Sequence, residues 1–438
     1  MEDQDHTKTA GVAVIQRTTT ESTLQTEKAA AITFQEALPA PDEHAPNGGL
    51  TAWLQVSGSF VLFMNSWGTI NSYGVFETYY VSINLSNKSS SDIAWIGSTQ
   101  AFLLLVVGII SGPVFDLGVF RPLLISGSVV LVLGLVFTSL CHEYWQFMLA
   151  QGIMTGIGCG LFFVPSVAVI PQYFTTRRSF ALGIAASGSS VGGVIYPIIF
   201  HKLRPLLGFG WAVRVVALIV LVTQGYVLAV MRVRTRPAGK KIRLTRELVM
   251  YPPFLAFIGF GVFAFMGAYI PFYYMEGFSI LKGIYSFDVS FYMLSVLNGA
   301  STFGRLLPNI LADRVGPFNV LLPCIFAASI VAFCWVAAAT KPGVVAISVL
   351  YGFFSGSIIS LAAPCLAVIT PDISVLGTRI GILFAVASVG LLIGTPVAGE
   401  LLKTGMEFKA VAVFCGGTLA VACGFVGVAR GLLRGWRV

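Results

Sequence analysis

The sequence predicts an all-α membrane protein of twelve transmembrane helices arranged as two halves of six. Three observations predict it. Hydrophobic residues make up 56% of the 438-residue chain, and Asp, Glu, Lys and Arg only 11%, where soluble domains carry about 25% charged residues. Twelve apolar segments of about 20 residues or more follow one another, each long enough to cross a bilayer. Landmarks of the first half also recur in the second at offsets close to 200 residues.

Residues 1–48 are polar, with scattered Thr, Glu and Pro, and lack both a signal-peptide core and helical or strand periodicity. A disordered, uncleaved cytosolic tail is expected there. The N-terminal half, 49–231, holds predicted spans 52–80, 93–114, 121–140, 145–170, 180–201 and 211–231. A basic cytosolic linker, 232–252, opens with RVRTRPAGKKIRLTR, which contains seven basic residues. The C-terminal half, 253–438, holds predicted spans 254–275, 289–312, 319–339, 344–369, 380–402 and 409–430.

Charge sets the expected orientation. With the N-terminus inside, 15 Lys and Arg fall in inner loops and the C-terminal tail, and 7 in outer loops. That bias places both termini in the cytosol, with the plasma membrane as the expected location. The net charge of +8 is accounted for as a topology signal, so the bilayer is an expected partner and nucleic acid is not.

Three pairs of landmarks carry the internal repeat. QGIMTGIGCGLFFVPSVAVIPQ (151–172) matches YGFFSGSIISLAAPCLAVITPD (351–372), each with Gly-x3-Gly, a proline, an AVI and a second proline. GIAASGSSVGGVIYP (183–197) matches GILFAVASVGLLIGTP (381–396), and Asp116 after one span matches Asp313 after another. Two six-span halves in parallel relation are a transporter organisation.

Few residues in this chain can do chemistry within a membrane. Asp116 lies in the inner loop GPVFDLGVFRP (112–122), and Asp313 with Arg314 in GRLLPNILADRVGP (304–317). Both carboxylates can accept bonds from helix N-termini or neighbouring arginines and so latch the inner side; an ordinary solvated turn is the plainer alternative. Arg177 and Arg178 stand before a stretch with glycines at 183, 188, 192 and 193. The arginines fix orientation and can meet headgroups or Asp116. The small residues let helices approach closely once inside lipid.

Arg305 is the one charge well inside a predicted span, about two turns or some 12 Å deeper than Asp313. Such a charge marks a substrate or ion path, unless it snorkels or latches to a loop. Asn65, Asn71 and Ser72 can line a cavity, with Trp67 and Tyr73 as stacking surfaces, Asn298 facing them, and YIPFYY (269–274), including Tyr273, near the outer mouth. Interhelical hydrogen bonding is the competing role for these polar residues. Asn84 and Asn87 head the glycosylation sequons NLS and NKS in the first outer loop. The seven cysteines have no CxxC spacing and the four histidines are scattered, so no metal or other cofactor is expected. No Walker A motif occurs, and no nucleophile, base and orienter group together, so an enzyme is not expected either.

With these motifs in hand, the chain from about Pro46 to the last span resembles the monocarboxylate porter family of the major facilitator superfamily, in its fungal branch. PNGGLTAW (46–53) resembles the family's (D/E)GG-aromatic signature, with Asn47 in place of the acid. YFTTRRSFALGIAASG (173–188) resembles its second signature almost completely. The resemblance implies the major facilitator fold and a secondary active or facilitative transporter that alternates access to a central cavity. It places Arg305 where proton-coupled lactate carriers hold the substrate carboxylate. Ser301 stands where those carriers have an aspartate, and Asn71 where they have a lysine. The implied cargo is a small organic solute, in the first instance a carboxylate, with proton symport as one mode. A second reading is an exporter of a secondary metabolite, because GSSVGG (188–193) loosely resembles the GPxxGG of drug–proton antiporters. A third is a non-transporting nutrient receptor, which the modest tail disfavours.

Overall fold

A computed structural model describes residues 45–88, 90–234, 249–370, 372–403 and 408–433. The expected tail up to residue 44, residues 235–248 of the linker, and Arg434 and Arg437 lie outside the described residues. The described chain is helical throughout and makes twelve passes.

In the first half, α1 runs over Leu50–Asn71 and resumes at Tyr73–Tyr79, α2 over Ser90–Val106 and Gly108–Asp116, and α3 over Phe120–Thr138. α4 is built of Tyr144–Phe147, a π-helical Met148–Met154 and Thr155–Ala168. α5 and α6 share the continuous Arg178–Val230 and part at Gly208, whose φ of 77° glycine adopts without a Cβ penalty. Where the spacing predicts a loop over 202–210, one glycine turns the chain. In the second half, α7 spans Pro252–Ala268 and Ile270–Leu281, α8 Phe287–Val315, α9 Pro317–Cys334, α10 Lys341–Ile369, α11 Leu376–Lys403 and α12 Phe408–Leu432.

Nine of the helices among the described residues are long and apolar enough to cross a membrane by length and composition. Arg178–Val230 is one of the nine and carries two passes. The two passes outside the nine are α1 and α8, which carry the buried polar residues Gln55, Asn65, Asn71, Asn298, Arg305 and Asn309. The outer surface is apolar, with Ile110, Leu133, Val222, Phe303, Phe326 and Val413 exposed, as lipid contact requires.

The repeated Gly-x3-Gly has a packing reason. Gly156 of α4 sits where a Cβ would come 3.0 Å from the Gln100 carbonyl of α2, and Gly356 of α10 where one would come 2.5 Å from the Ser301 carbonyl of α8. The same crossing is thus made once in each half, with backbones in direct contact. The halves meet along α5 with α8 and along α2 with α11.

The loops α2–α3, α4–α5, α8–α9 and α10–α11 share one end of the bundle with residues 47 and 430; this is termed the basal end. Asn47 is tied there to the α4–α5 loop. Its amide donates to the Tyr173 carbonyl at 3.0 Å. Its Oδ1 accepts from Thr175 N at 2.7 Å, Thr176 N at 2.9 Å and Thr175 Oγ1 at 2.9 Å. The two sequence signatures, around 47 and 173–188, are therefore parts of one hydrogen-bonded knot.

Candidate functional site: the seam between the halves

Asn298, Ser301, Arg305 and Asn309 recur at helical spacing, so α8 presents them on one face. All four are buried. They meet the small-residue face of α5, because Gly183 leaves room for the Arg305 backbone: a Cβ there would lie 2.3 Å from the Arg305 carbonyl. Arg305 Nη1 donates to the Ala186 carbonyl at 2.8 Å and to Ser189 Oγ, and Nε to Ser301 Oγ at 3.2 Å. These partners are neutral. A guanidinium in an apolar bundle costs several kcal/mol unless such donors are satisfied. Ser301 also accepts from Ser190 at 3.3 Å, and Asn309 Nδ2 reaches Ser360 of α10 at 2.7 Å.

One turn beyond Ser301, Asn71 Nδ2 faces Asn298 Oδ1 across the seam at 3.5 Å and the Ser189 carbonyl within its own half at 3.4 Å. Both contacts are long, and Asn71 Oδ1 is buried with no partner. At the end opposite the basal one, His201 of α5 stacks on Phe291 of α8 at 4.7 Å. The halves are therefore closed against each other over the full length of this seam.

Against Ala186, the residue whose carbonyl Arg305 bonds, lies a cavity of about 20 Å³, roughly the space of one water molecule. Phe63 and Trp67 of α1, Phe163 of α4, Phe265 of α7 and Phe384 of α11 form its aromatic wall, with Ala186 and Ser360 on the side of Arg305 and Asn309. Phe163 meets Phe384 edge to face at 5.1 Å across the seam, and Trp67 stacks on Tyr269 at 5.4 Å with 16° between the planes. This cavity is too small for a solute, so binding within it requires the halves to part.

The basal end is closed by two exchanged carboxylates. Asp116, at the end of α2, accepts from Gly377 N at 3.1 Å, from Thr378 N and from Thr378 Oγ1 at 2.6 Å, all at the start of α11. Asp313, at the end of α8, accepts from Ser179 N at 2.8 Å and Phe180 N at 2.9 Å at the start of α5. Each half thus caps a helix of the other, where unsatisfied N–H groups and the helix dipole favour an anion.

Other sequence-predicted residues sit elsewhere. Asn65 turns into the first half, donating to Thr223 Oγ1 at 3.0 Å and accepting from Tyr196, and so does not face Asn298. Tyr73 likewise donates to the Ile93 carbonyl within that half. Tyr273 is half-buried on the upper segment of α7. Arg177 and Arg314 are exposed, while Arg178 Nε donates to the Phe174 carbonyl at 3.3 Å. The partners of Asp116 are backbone amides and a threonine, where an arginine was one expectation. Asn84, itself half-buried, ends a π turn, and Asn87 is exposed; Ser89 of its sequon lies outside the described residues.

Sequence reasoning missed several participants. Trp67 was expected as a stacking surface, but the four phenylalanines of the wall gave no signal, because they come from four different apolar runs and only the fold gathers them. Thr378 and Arg379 are equally silent; Arg379 Nη1 donates to the Ile369 carbonyl at 2.9 Å, and its guanidinium lies 5.2 Å from the Phe254 ring and 5.6 Å from that of Tyr251. Asn47 did have a signal, since it occupies the acidic position of a signature.

Comparison with known proteins agrees with this architecture. The sequence family described as Major Facilitator Superfamily matches residues 56–341. The chain is 43% identical over 381 residues to the MFS-type transporter dbaD of Emericella nidulans, covering 87% of this chain and 86% of that protein. It is 37% identical to the aspyridones efflux protein apdF of the same organism, covering 90% and 83%. It is also 37% identical to the agnestins efflux protein AgnL12 of Paecilomyces divaricatus, covering 92% of both. Among solved structures it is similar to the transporter FucP in its outward conformation, with a TM-score of 0.65 at 16% identity over 88% of this chain and 99% of that one. The human organic anion transporter MFSD10 gives 0.64 at 13% identity over 86% and 98%. These two likenesses show the fold.

Proposed function

Because the chain belongs to the major facilitator superfamily and is a multi-pass membrane transporter rather than an enzyme, we propose that it exports a secondary metabolite by alternating access. The observation that carries this reading is the aromatic-lined cavity at the seam, an environment suited to a largely apolar ring-bearing solute. The names of its relatives, two of them efflux proteins, support the direction. This displaces carboxylate transport as the leading reading. Transport would begin from a state in which Asp116 and Asp313 let go of the α11 and α5 N-termini and the cavity opens basally. Solute would bind between the walls, the two caps would re-form, and the opposite end would part.

In this reading the basal face is cytosolic, the membrane is the plasma membrane, and Asn84 and Asn87 lie outside, where a glycosidase-sensitive mass shift would reveal their use. Export is tested by deleting the gene in the producing fungus and measuring the metabolite inside and outside the cells. Intracellular accumulation at least several-fold above the parent, reversed by the wild-type chain, is expected; unchanged partitioning would reject export. The carboxylate reading stays as the second, on one observation: Arg305 is a buried cation whose bonded partners are all neutral. Uptake of labelled carboxylates that is lost in Arg305→Ala would favour it, whereas equal flux in both proteins removes it. Measurable flux of any solute excludes the receptor reading.

A further inference from the structure

We propose that Glu77 and Glu276 form a proton-operated latch at the end opposite the basal one: the halves close there with one proton held between the two carboxylates, and part when it leaves. The latch goes beyond the export reading and does not depend on the direction of transport. Both residues sit on the second segment of a broken helix, Glu77 on α1 beyond Ser72 and Glu276 on α7 beyond Tyr269. Their separation in sequence, close to 200 residues, is that of the internal repeat, so each half contributes the same carboxylate.

The two segments meet across the seam. Tyr273 of α7 packs on a core cluster made wholly of first-half side chains, among them Tyr73, Phe76 and Tyr80. Glu276 follows Tyr273 by one turn and Glu77 follows Tyr73 by one turn, so both carboxylates stand at this contact. They lie near enough to act on each other electrostatically, and Tyr273 and Tyr274 act on Glu77 as well. The elements packed on the two segments bring Asp92 of α2, His201, Lys202 and Arg204 of α5, Tyr292 of α8, Glu400 of α11 and Lys409 of α12 toward this end. The charge that acts on Glu77 is nevertheless that of Glu276. Arg204 lies over the Tyr79 ring at 5.3 Å instead, and His201 stacks on Phe291. Among the described residues neither carboxylate is in an ion pair.

Two carboxylates brought together away from water, with no cation between them, cannot both stay charged. One proton removes the repulsion and gives one carboxyl an O–H to donate to the other. Both residues are half-buried, so the solution on that side supplies the proton at closure and receives the same proton back at opening. The closed end therefore binds one proton more than the open end. Linkage then favours closure as pH falls, by up to about tenfold in the closed-to-open ratio per pH unit.

The test uses the full-length chain in lipid nanodiscs with native cysteines replaced. Spin labels go on the exposed His142 and Ala339, in the loops before α4 and α10, one in each half at this end. Distances are measured at about pH 5.5 and about pH 8.5, and the ratio of short to long is expected to be at least about tenfold higher at the lower pH. Glu77→Gln and Glu276→Gln each replace the shared proton with a carboxamide N–H. The short distance should then dominate at both pH values, with the ratio changing by less than about twofold. The double glutamine variant, with no charge left at the pair, should be equally insensitive. Monodisperse elution of each variant checks folding. Protonation of His201 would put a charge into its stack and open this end in acid, the opposite sign. Acid loosening of the Asp116 and Asp313 caps would also close this end, but that response would survive in the glutamine variants. A ratio that does not move with pH, one that moves the other way, or glutamine variants that keep the full response would each overturn the latch.

Discussion

Single residues at the seam divide into charges that are answered and polar atoms that are not. Arg305 is bonded at both Nε and Nη1, so its guanidinium is held in place before any solute arrives. Asp313 is the sharper case, since its two oxygens each take one backbone amide of α5. Asp313→Asn replaces one oxygen with a donor that faces an N–H. With charge-assisted bonds worth roughly 1.5–3 kcal/mol, the basally closed state should lose tenfold or more in population. Spin labels on the exposed Leu117 and Ser374, in a background with native cysteines replaced, should show a longer basal distance in Asp313→Asn; an unchanged distribution would mean the cap does not set the equilibrium. Asn47 makes a complementary prediction. Asn47→Ala strips three accepted bonds from the α4–α5 loop and should cost about 1–3 kcal/mol, read as a lower melting temperature. Asn47→Asp should recover most of it, because a carboxylate keeps the three accepted bonds and gives up only the Nδ2 donation to the Ala45 carbonyl at 3.2 Å. Position 47 was visible in the sequence as a signature residue; its partners were not, since they lie more than 120 residues away.

Between elements, stability depends on backbones that touch. A Cβ on Gly188 would lie 2.0 Å from the Phe60 carbonyl of α1, whereas Gly225, on the same continuous helix, has nothing within 4 Å. Gly188→Ala should therefore cost about 1–3 kcal/mol through overpacking, while Gly225→Ala should be neutral or slightly stabilising because alanine is the better helix former. Thermal unfolding of the purified proteins compares the two; equal melting temperatures would contradict a direct α1–α5 contact. The periodicity of small residues around 183–193 indicated close packing in advance. Which helix they pack on was settled by the fold, because small-residue stripes carry no partner identity.

For the whole molecule, the two exchanged carboxylate caps and the collapsed aromatic cavity describe a bundle closed at its basal end and at its centre. Alternating access then demands that the basal ends separate in each cycle. A short bismaleimide bridge between cysteines at Leu117 and Ser374 should abolish transport in that cysteine-replaced background, by at least tenfold, and leave either single variant active. Transport that continues under full cross-linking would rule out basal opening as a step.

Composition and segment length determined that this is a helical membrane protein of twelve passes, because the bilayer imposes a minimum length on every crossing and an apolar surface on its lipid-facing side. The repeat and signatures pointed to a major facilitator transporter, and the family match bears out that level alone, since landmarks at a common offset persist wherever two halves pack alike. Tertiary structure alone decided which residues share a site. It turned Asn65 and Tyr73 into the first half, seated Asp116 on the α11 N-terminus, and gathered Phe63, Phe163, Phe265 and Phe384 around Trp67. The physical reason is that an apolar side chain in lipid reads the same in the sequence whether it faces lipid, a neighbouring helix or a cavity; only helix rotation and crossing position distinguish them.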